Sequence, residues 1–206
     1  MTRRNLLQAA SVAASLPSLN GQTSKPNVII FLADDLGFRD VGYHGAEIET
    51  PNIDKLSRHG LRFDRFHSFP LCSPTRAALM TGRNPVRFGL IYSVVRPWAN
   101  YGLSIGERTI ADLFHESGYQ TAIIGKWHLG HTHRKLLPQS RGFDHFYGHV
   151  NGAIDYFTHM RNDAPDWQSN GETIRETGYS TDLLAAEASR WIGKRDPNRP
   201  FFLYVP

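Results

Sequence analysis

Apolar positions along the chain fall into strand-like runs and helix-like periods that alternate. Asn27–Asp35, NVIIFLADD, is a continuous apolar run of strand length that ends in two carboxylates. It has the pattern of a fully buried parallel strand whose C-terminal end opens onto a site. TPNIDKLSRHG follows, and Thr50 as N-cap, Pro51 at the first helical position and Gly60 as stop predict a short helix. Leu61–Phe69 alternates apolar with polar residues and predicts a half-buried strand. Ser73 as N-cap, Pro74 in the first turn and Gly82 as stop predict a helix over Ser73–Thr81. A second helix is expected over Thr109–Glu116, ended by Gly118, and a buried strand over Tyr119–Ile124. Residues 131–178 are rich in Gly, Asn, Asp and aromatics and read as loops with little regular structure. Ser180–Lys194 is amphipathic, with Leu183, Leu184, Ala188 and Trp191 or Ile192 on one face, and PFFLYVP closes the chain as a buried strand. Alternating strands and helices imply an α/β fold whose largely parallel sheet is covered on both faces. Ligands of such sheets sit outside the carboxyl ends of the strands, so the segments after Ala33 and Ile124 should share one rim.

Composition adds limits. The 206 residues are 40% hydrophobic and 20% charged, as in an ordinary globular protein. The net charge of +4 comes from 23 basic and 19 acidic residues, and no run of Lys or Arg exceeds two. That footprint is too thin for nucleic acid, which leaves small anions as candidate partners. Thr2-Arg3-Arg4-Asn5-Leu6-Leu7 is similar to a twin-arginine export signal, so residues 1–24 are expected to act as a leader and the protein to work in the periplasm or outside the cell. The apolar stretch Leu6–Leu16 is shorter than the roughly 20 residues a membrane span requires.

One cysteine, Cys72, stands in PLCSPTRAALMTGR and has no internal partner for a disulfide. A helix beginning just after it places the thiol at the positive end of the macrodipole, where free N–H groups favour an anion. Arg76, four residues on, lies on the same side of the first turn and offers a planar fork of donors suited to sulfate or phosphate. The pattern suits a nucleophile facing an oxyanion, and it also suits a buried structural cysteine. Asp34 and Asp35 are hard oxygen ligands for Ca²⁺ or Mg²⁺, or an ordinary strand-end turn. Lys126 and His128 follow a strand and, two apart, can point the same way. His128, His131 and His133 have a spacing that zinc or copper also accepts. Trp127 and Trp167 suit either the core or a stacked ring.

CSPTRAALMTGR resembles the signature of the type I sulfatases, whose cysteine in C-x-P-x-R is oxidised to formylglycine. PNVIIFLADDLGFRDVGYHG, TPNIDKLSRHGLRF, GKWHLG and GFDHFYGHVNGAIDYFTH match further motifs of that family in order, the last being more similar to its arylsulfatase B-like branch. The resemblance covers about residues 26–206 and implies an alkaline-phosphatase-like α/β sandwich. It implies a sulfuric ester hydrolase acting on aryl or carbohydrate sulfates, with the nucleophile made from Cys72 by a formylglycine-generating enzyme. Arg76 would steady the hydrated aldehyde, Lys126 contact the sulfate and His128 assist turnover. Asp34, Asp35 and residue 72 would bind Ca²⁺, with Mg²⁺ also possible. Arg141, Gly142, Asp144, Asp155 and His159 lie where that branch builds part of its substrate pocket. The family's remaining metal ligands, a second lysine and a further histidine come later than position 206, so the resemblance implies an N-terminal portion of the catalytic domain over residues 25–206 with the C-terminal part missing. A phosphonate or phosphodiester hydrolase using the same nucleophile, and a non-catalytic anion- or glycan-binding remnant, are the alternatives.

Overall fold

Strands and helices alternate along residues 25–206, the part of the chain that the structure, a computed structural model, describes. The leader expected over residues 1–24 lies outside the described residues. The chain runs through β1 (Val28–Phe31), α1 (Pro51–His59), α2 (Cys72–Thr81), α3 (Ile110–Glu116) and β2 (Gln120–Lys126). β3 (His145–His149) precedes the two-residue strands β4 (Met160–Arg161), β5 (Ala164–Pro165), β6 (Gln168–Ser169) and β7 (Glu172–Thr173). α4 (Ser180–Lys194) then leads into β8 (Phe201–Val205). The main sheet has the order β1-β8-β2-β3-β6-β7. Its first four members pair in parallel, and β6 and β7 add an antiparallel edge. β4 and β5 pair separately.

Alternate residues of each central strand enter opposite layers, as the pleat requires. Ile123, Phe146, Phe202 and Tyr204 pack with Ala77 and Met80 of α2 and Ala111 of α3 on one face. Ala122, Ile124, Tyr147 and Leu203 pack on the other with Ala188, Leu183, Leu184 and Trp191 of α4. The largely parallel, helix-covered sheet and the apolar face of α4 are therefore as the sequence pattern predicts. Thr109 caps α3 through a reciprocal pair, its hydroxyl accepting from the Asp112 N–H while the Asp112 carboxylate accepts from the Thr109 N–H.

Four expectations change. β1 is an edge strand among the described residues and is covered on one face only, so Val28 and Ile30 pack while Ile29 and Phe31 face away from the core, Phe31 70% exposed. Leu61–Phe69 forms no strand, because its alternating pattern meets no partner ladder among the described residues. α2 begins one residue early, with Leu71 as N-cap and Cys72 as the first helical residue. The Ser73 hydroxyl, expected to cap that helix, is used elsewhere. Finally, residues 131–178 contain the buried strand β3 as well as loops, since its backbone completes the ladder beside β2.

Candidate active site

The carboxyl end of β1 and the N-terminus of α2 meet at a cleft of 280 Å³. Asp34, Asp35, Cys72 and Arg76 all line it, together with Pro70, Leu71 and Thr75. Cys72 is half-buried at the first turn of α2, where the N–H groups at 72 and 73 have no intrahelical acceptor. Arg76 lies one turn further and is 1% exposed. The short spacing from Cys72 to Arg76 thus becomes a shared wall, as the helical period requires.

Arg76 is held by its surroundings rather than by solvent. Its Nη1 donates to the Lys126 carbonyl at 2.7 Å and to the Tyr204 hydroxyl at 3.4 Å. Its Nη2 is 3.5 Å from Asp34 Oδ1, and Nε and Nη2 make no hydrogen bond among the described residues. Lys126, 6% exposed at the end of β2, reaches Asp34 Oδ2 with Nζ at 2.5 Å. Two buried cations therefore converge on one carboxylate. Burial pushes the Asp34 carboxyl up, but the Lys126 hydrogen bond and the charges of Lys126 and Arg76 outweigh it, and the net effect holds Asp34 below the usual range. Burial pushes the Tyr204 hydroxyl up to about 12, so it remains a neutral partner for Arg76.

His128 stands behind this wall. The Ser73 hydroxyl donates to the His128 carbonyl at 2.9 Å and accepts from the Val95 N–H at 3.0 Å. The His128 ring contacts the Val95 carbonyl through Nε2 at 2.9 Å, which requires the proton on Nε2 and leaves Nδ1 as a bare acceptor, buried and without a partner among the described residues. Burial first, then the nearby Lys126 charge, pull its pKa down to about 3. His128 also carries a left-handed backbone, φ 59°. Such conformations cost of the order of 1–3 kcal/mol in a non-glycine residue and persist only where packing over-determines them. Gly152 supplies that packing, since a Cβ there would sit 2.5 Å from the ring carbon Cε1.

Of the six site residues expected from the sequence, Asp34, Asp35, Cys72 and Arg76 share the cleft, and Lys126 joins them through Asp34. His128 is tied to the residue next to Cys72 through backbone and hydroxyl. Tyr204 was not anticipated, although a lone hydroxyl in the apolar run FFLYV is a visible signal. His149 is the second addition. It pairs in register with Lys126, and its signal was an imidazole at the end of a buried strand.

The other candidates have partners within the fold. Arg141 donates to the carbonyls of Leu103, Ser104 and Glu107. Asp144 accepts from the Thr121 N–H, and Asp155 accepts from Phe157 and Thr158. Trp127 and Trp167 have no exposed surface and belong to the core. His128, His131 and His133 do not converge. His131 faces the Pro97 carbonyl, and His133 accepts from the Lys135 N–H.

The expected Ca²⁺ or Mg²⁺ does not fit the described residues by themselves. Calcium takes about six to eight oxygens. No group of three His, Cys, Asp or Glu side chains among the described residues could hold a metal ion. Asp34 Oδ1 faces the Arg76 guanidinium and Oδ2 the Lys126 ammonium.

The sulfatase family model matches residues 26–206. The chain is 39% identical over 191 residues to mouse arylsulfatase J, covering 89% of this chain and 32% of that one. It is 36% identical over 206 residues to human N-acetylgalactosamine-6-sulfatase, covering 90% and 39%. The crystal structure of Ps i-CgsB superposes with a TM-score of 0.82 at 36% identity, covering 89% of this chain and 45% of that one. The same protein is known in complex with k-i-k-neocarrahexaose. The chain thus spans about a third to two-fifths of the length of these curated relatives.

Proposed function

The chain belongs to the sulfatase family, with its alkaline-phosphatase-like fold, and from that premise we propose that it is a sulfuric ester hydrolase for carbohydrate or aryl sulfates with its nucleophile at position 72. The observation that carries this reading is the convergence of two buried cations, Arg76 and Lys126, on the cleft that opens at Cys72. A single engaged carboxylate leaves that corner with spare positive charge and orphaned Arg76 donors, a setting that favours a tetrahedral anion.

A thiol attacking sulfur would leave a sulfated enzyme with no easy exit. Oxidation of Cys72 to formylglycine by a formylglycine-generating enzyme gives a hydrated aldehyde, whose one hydroxyl displaces the alcohol from sulfur and whose other expels sulfate as the aldehyde re-forms. Arg76 would then steady the hydrated aldehyde and Lys126 contact the sulfate, where its charge offsets the charge that grows on the sulfate oxygens. His128, tied to the residue next to position 72 through the Ser73 hydroxyl, would assist turnover there, as the family pattern implies. Export by a twin-arginine-like leader would place the enzyme in the periplasm or outside the cell. Among the described residues no helix is long and apolar enough to cross a membrane.

The test joins mass spectrometry with turnover. Peptides covering residues 66–83 from protein made with its converting enzyme should carry the aldehyde at position 72. Cys72→Ala should lower hydrolysis of 4-nitrophenyl sulfate by at least about 10³-fold while inorganic sulfate still binds. Equal turnover by protein that retains the thiol would sink the proposal. Faster hydrolysis of a phosphodiester or phosphonate ester than of the sulfate would reassign the substrate, and sulfate binding without turnover by the converted chain would favour a binding protein.

A further inference from the structure

β2 and β3 run parallel, and their last residues, Lys126 and His149, are register partners. In-register neighbours of parallel strands present their side chains to the same face. Gly125 and Gly148, directly before them, are also partners and share one backbone distortion, φ 135° and 138°. A Cβ at Gly148 would collide with the Gly125 carbonyl. The glycine pair lets the two strand ends close up, and the contact continues as Trp127 N–H donates to the His149 carbonyl at 2.9 Å. Asp166 fixes the turn beyond by accepting from the Val150 and Asn151 N–H groups at 3.0 and 2.8 Å. His149 is thereby a rigid neighbour of the lysine that reaches the anion cleft.

Its ring is equally defined. Nδ1 lies 2.9 Å from the Asn151 carbonyl and must carry the proton there, so Nε2 is an acceptor. Nε2 makes no hydrogen bond among the described residues and is not sealed from solvent as the unpartnered atoms of Arg76 and His128 are. Burial, aided by the charges of Lys126 and Arg76, outweighs the Asp166 carboxylate and the Asn151 hydrogen bond and keeps the imidazole below its usual pKa, hence neutral near pH 7. The site so far offers cations and N–H donors to the sulfate. A neutral acceptor fixed beside them has no use for a sulfate oxygen, but it matches a hydroxyl.

We propose that His149 is a specificity-determining residue whose Nε2 accepts a hydrogen bond from a sugar hydroxyl next to the esterified oxygen, which makes sulfated carbohydrates bearing such a hydroxyl the preferred substrates over simple aryl sulfates. This rests on the anion-site reading of the cleft. An acceptor that is left unpaired by the wrong ligand discriminates more strongly than an apolar contact of the same size.

Calorimetric titration of the 206-residue chain with inorganic sulfate, galactose 6-sulfate and galactose 4-sulfate, which differ in the hydroxyls flanking the ester, supplies the test. His149→Leu should weaken the better-bound sugar sulfate by about tenfold and leave inorganic sulfate unchanged, whereas His149→Gln, which keeps an acceptor near the Nε2 position, should retain most of the affinity. Nitrogen-15 spectra of the wild-type histidines keep the test independent of variant folding. The Nε2 resonance of His149 should move with the sugar sulfate and not with inorganic sulfate. An unchanged ratio of sugar-sulfate to sulfate affinity in His149→Leu, or a silent Nε2, overturns the inference alone. Failure of the wild-type chain to bind any of these ligands overturns the anion-site reading and the inference with it.

Discussion

Two shoulders of the same sheet differ sharply in cover. Around β2, β3 and β8 both faces are packed, and Arg76, Lys126 and His128 sit in that rigid half. Around β1, α1 and residues 60–69 little is covered. α1 contributes no buried residue, and Leu56, Phe63 and Phe66 are largely exposed, Phe66 at 79%. The candidate cleft lies on the seam, taking its cations from the packed half and Asp34 and Asp35 from the open one. The contrast teaches that Arg76 and Lys126 are fixed by core packing, whereas Asp34, beyond the exposed end of β1, is fixed through those two cations.

The largest expected effect tests the packed half. Trp127→Ala removes a fully buried ring and its hydrogen bond to the Leu136 carbonyl, and urea unfolding should show a loss of about 3–5 kcal/mol. If it cost no more than a change on the open shoulder, the claimed difference in rigidity would be wrong.

Next comes acid. His128 is neutral in the fold down to about pH 3, while in the unfolded chain it protonates near 6.5. The unfolded state therefore binds more protons between these values, so the stability from keeping His128 neutral is present above pH 6.5 and lost as the pH falls toward 3. A loss of about 2–3 kcal/mol by pH 4.5 is the expected scale, at about 1.4 kcal/mol per pH step. The melting temperature of wild type should fall between pH 6.5 and 4.5 while that of His128→Leu stays nearly flat if this residue carries the effect, and parallel pH dependences would contradict it.

The smallest effect belongs to the open shoulder. Phe66→Ser should change stability by less than about 0.5 kcal/mol, since the ring has little packing to lose. Sedimentation should at the same time show less self-association, because exposed aromatics promote it. A loss above 2 kcal/mol by urea titration would mean that the shoulder is packed after all.

Much of the architecture was legible because strong local signals agreed with the tertiary outcome. α4 spans Ser180–Lys194 as its apolar period predicts, and the helix expected over Thr109–Glu116 forms over Ile110–Glu116 with Thr109 as its N-cap. Leu61–Phe69 shows how a pattern fails without partners, since alternation describes a surface that suits a ladder and does not create one. β3 failed in the opposite direction. HFYGH has imidazoles at both ends, yet His145 is satisfied by Glu187 and His149 by the Asn151 carbonyl, contacts 42 and two residues away. The site followed the same logic. The spacing from Cys72 to Arg76 is local and could be read, but Tyr204 reaches Arg76 across 128 residues and only the sheet order brings it there. Asp34 and Asp35 were recognisable as oxygen donors, while the lysine and arginine that already engage Asp34 could not be inferred from their neighbours in sequence.

The doubly bonded hydroxyl of Ser73 has a consequence in time. Once its bonds to residues 95 and 128 form, Ser73, Pro74 and Arg76 are buried and helical, although the thiol beside them still meets solvent. A small reagent can find that sulfur in the finished molecule, but a modifying enzyme that reads its neighbours as an extended strand cannot. Any modifying enzyme that needs residues 73–76 extended would therefore have to reach position 72 before those two bonds form.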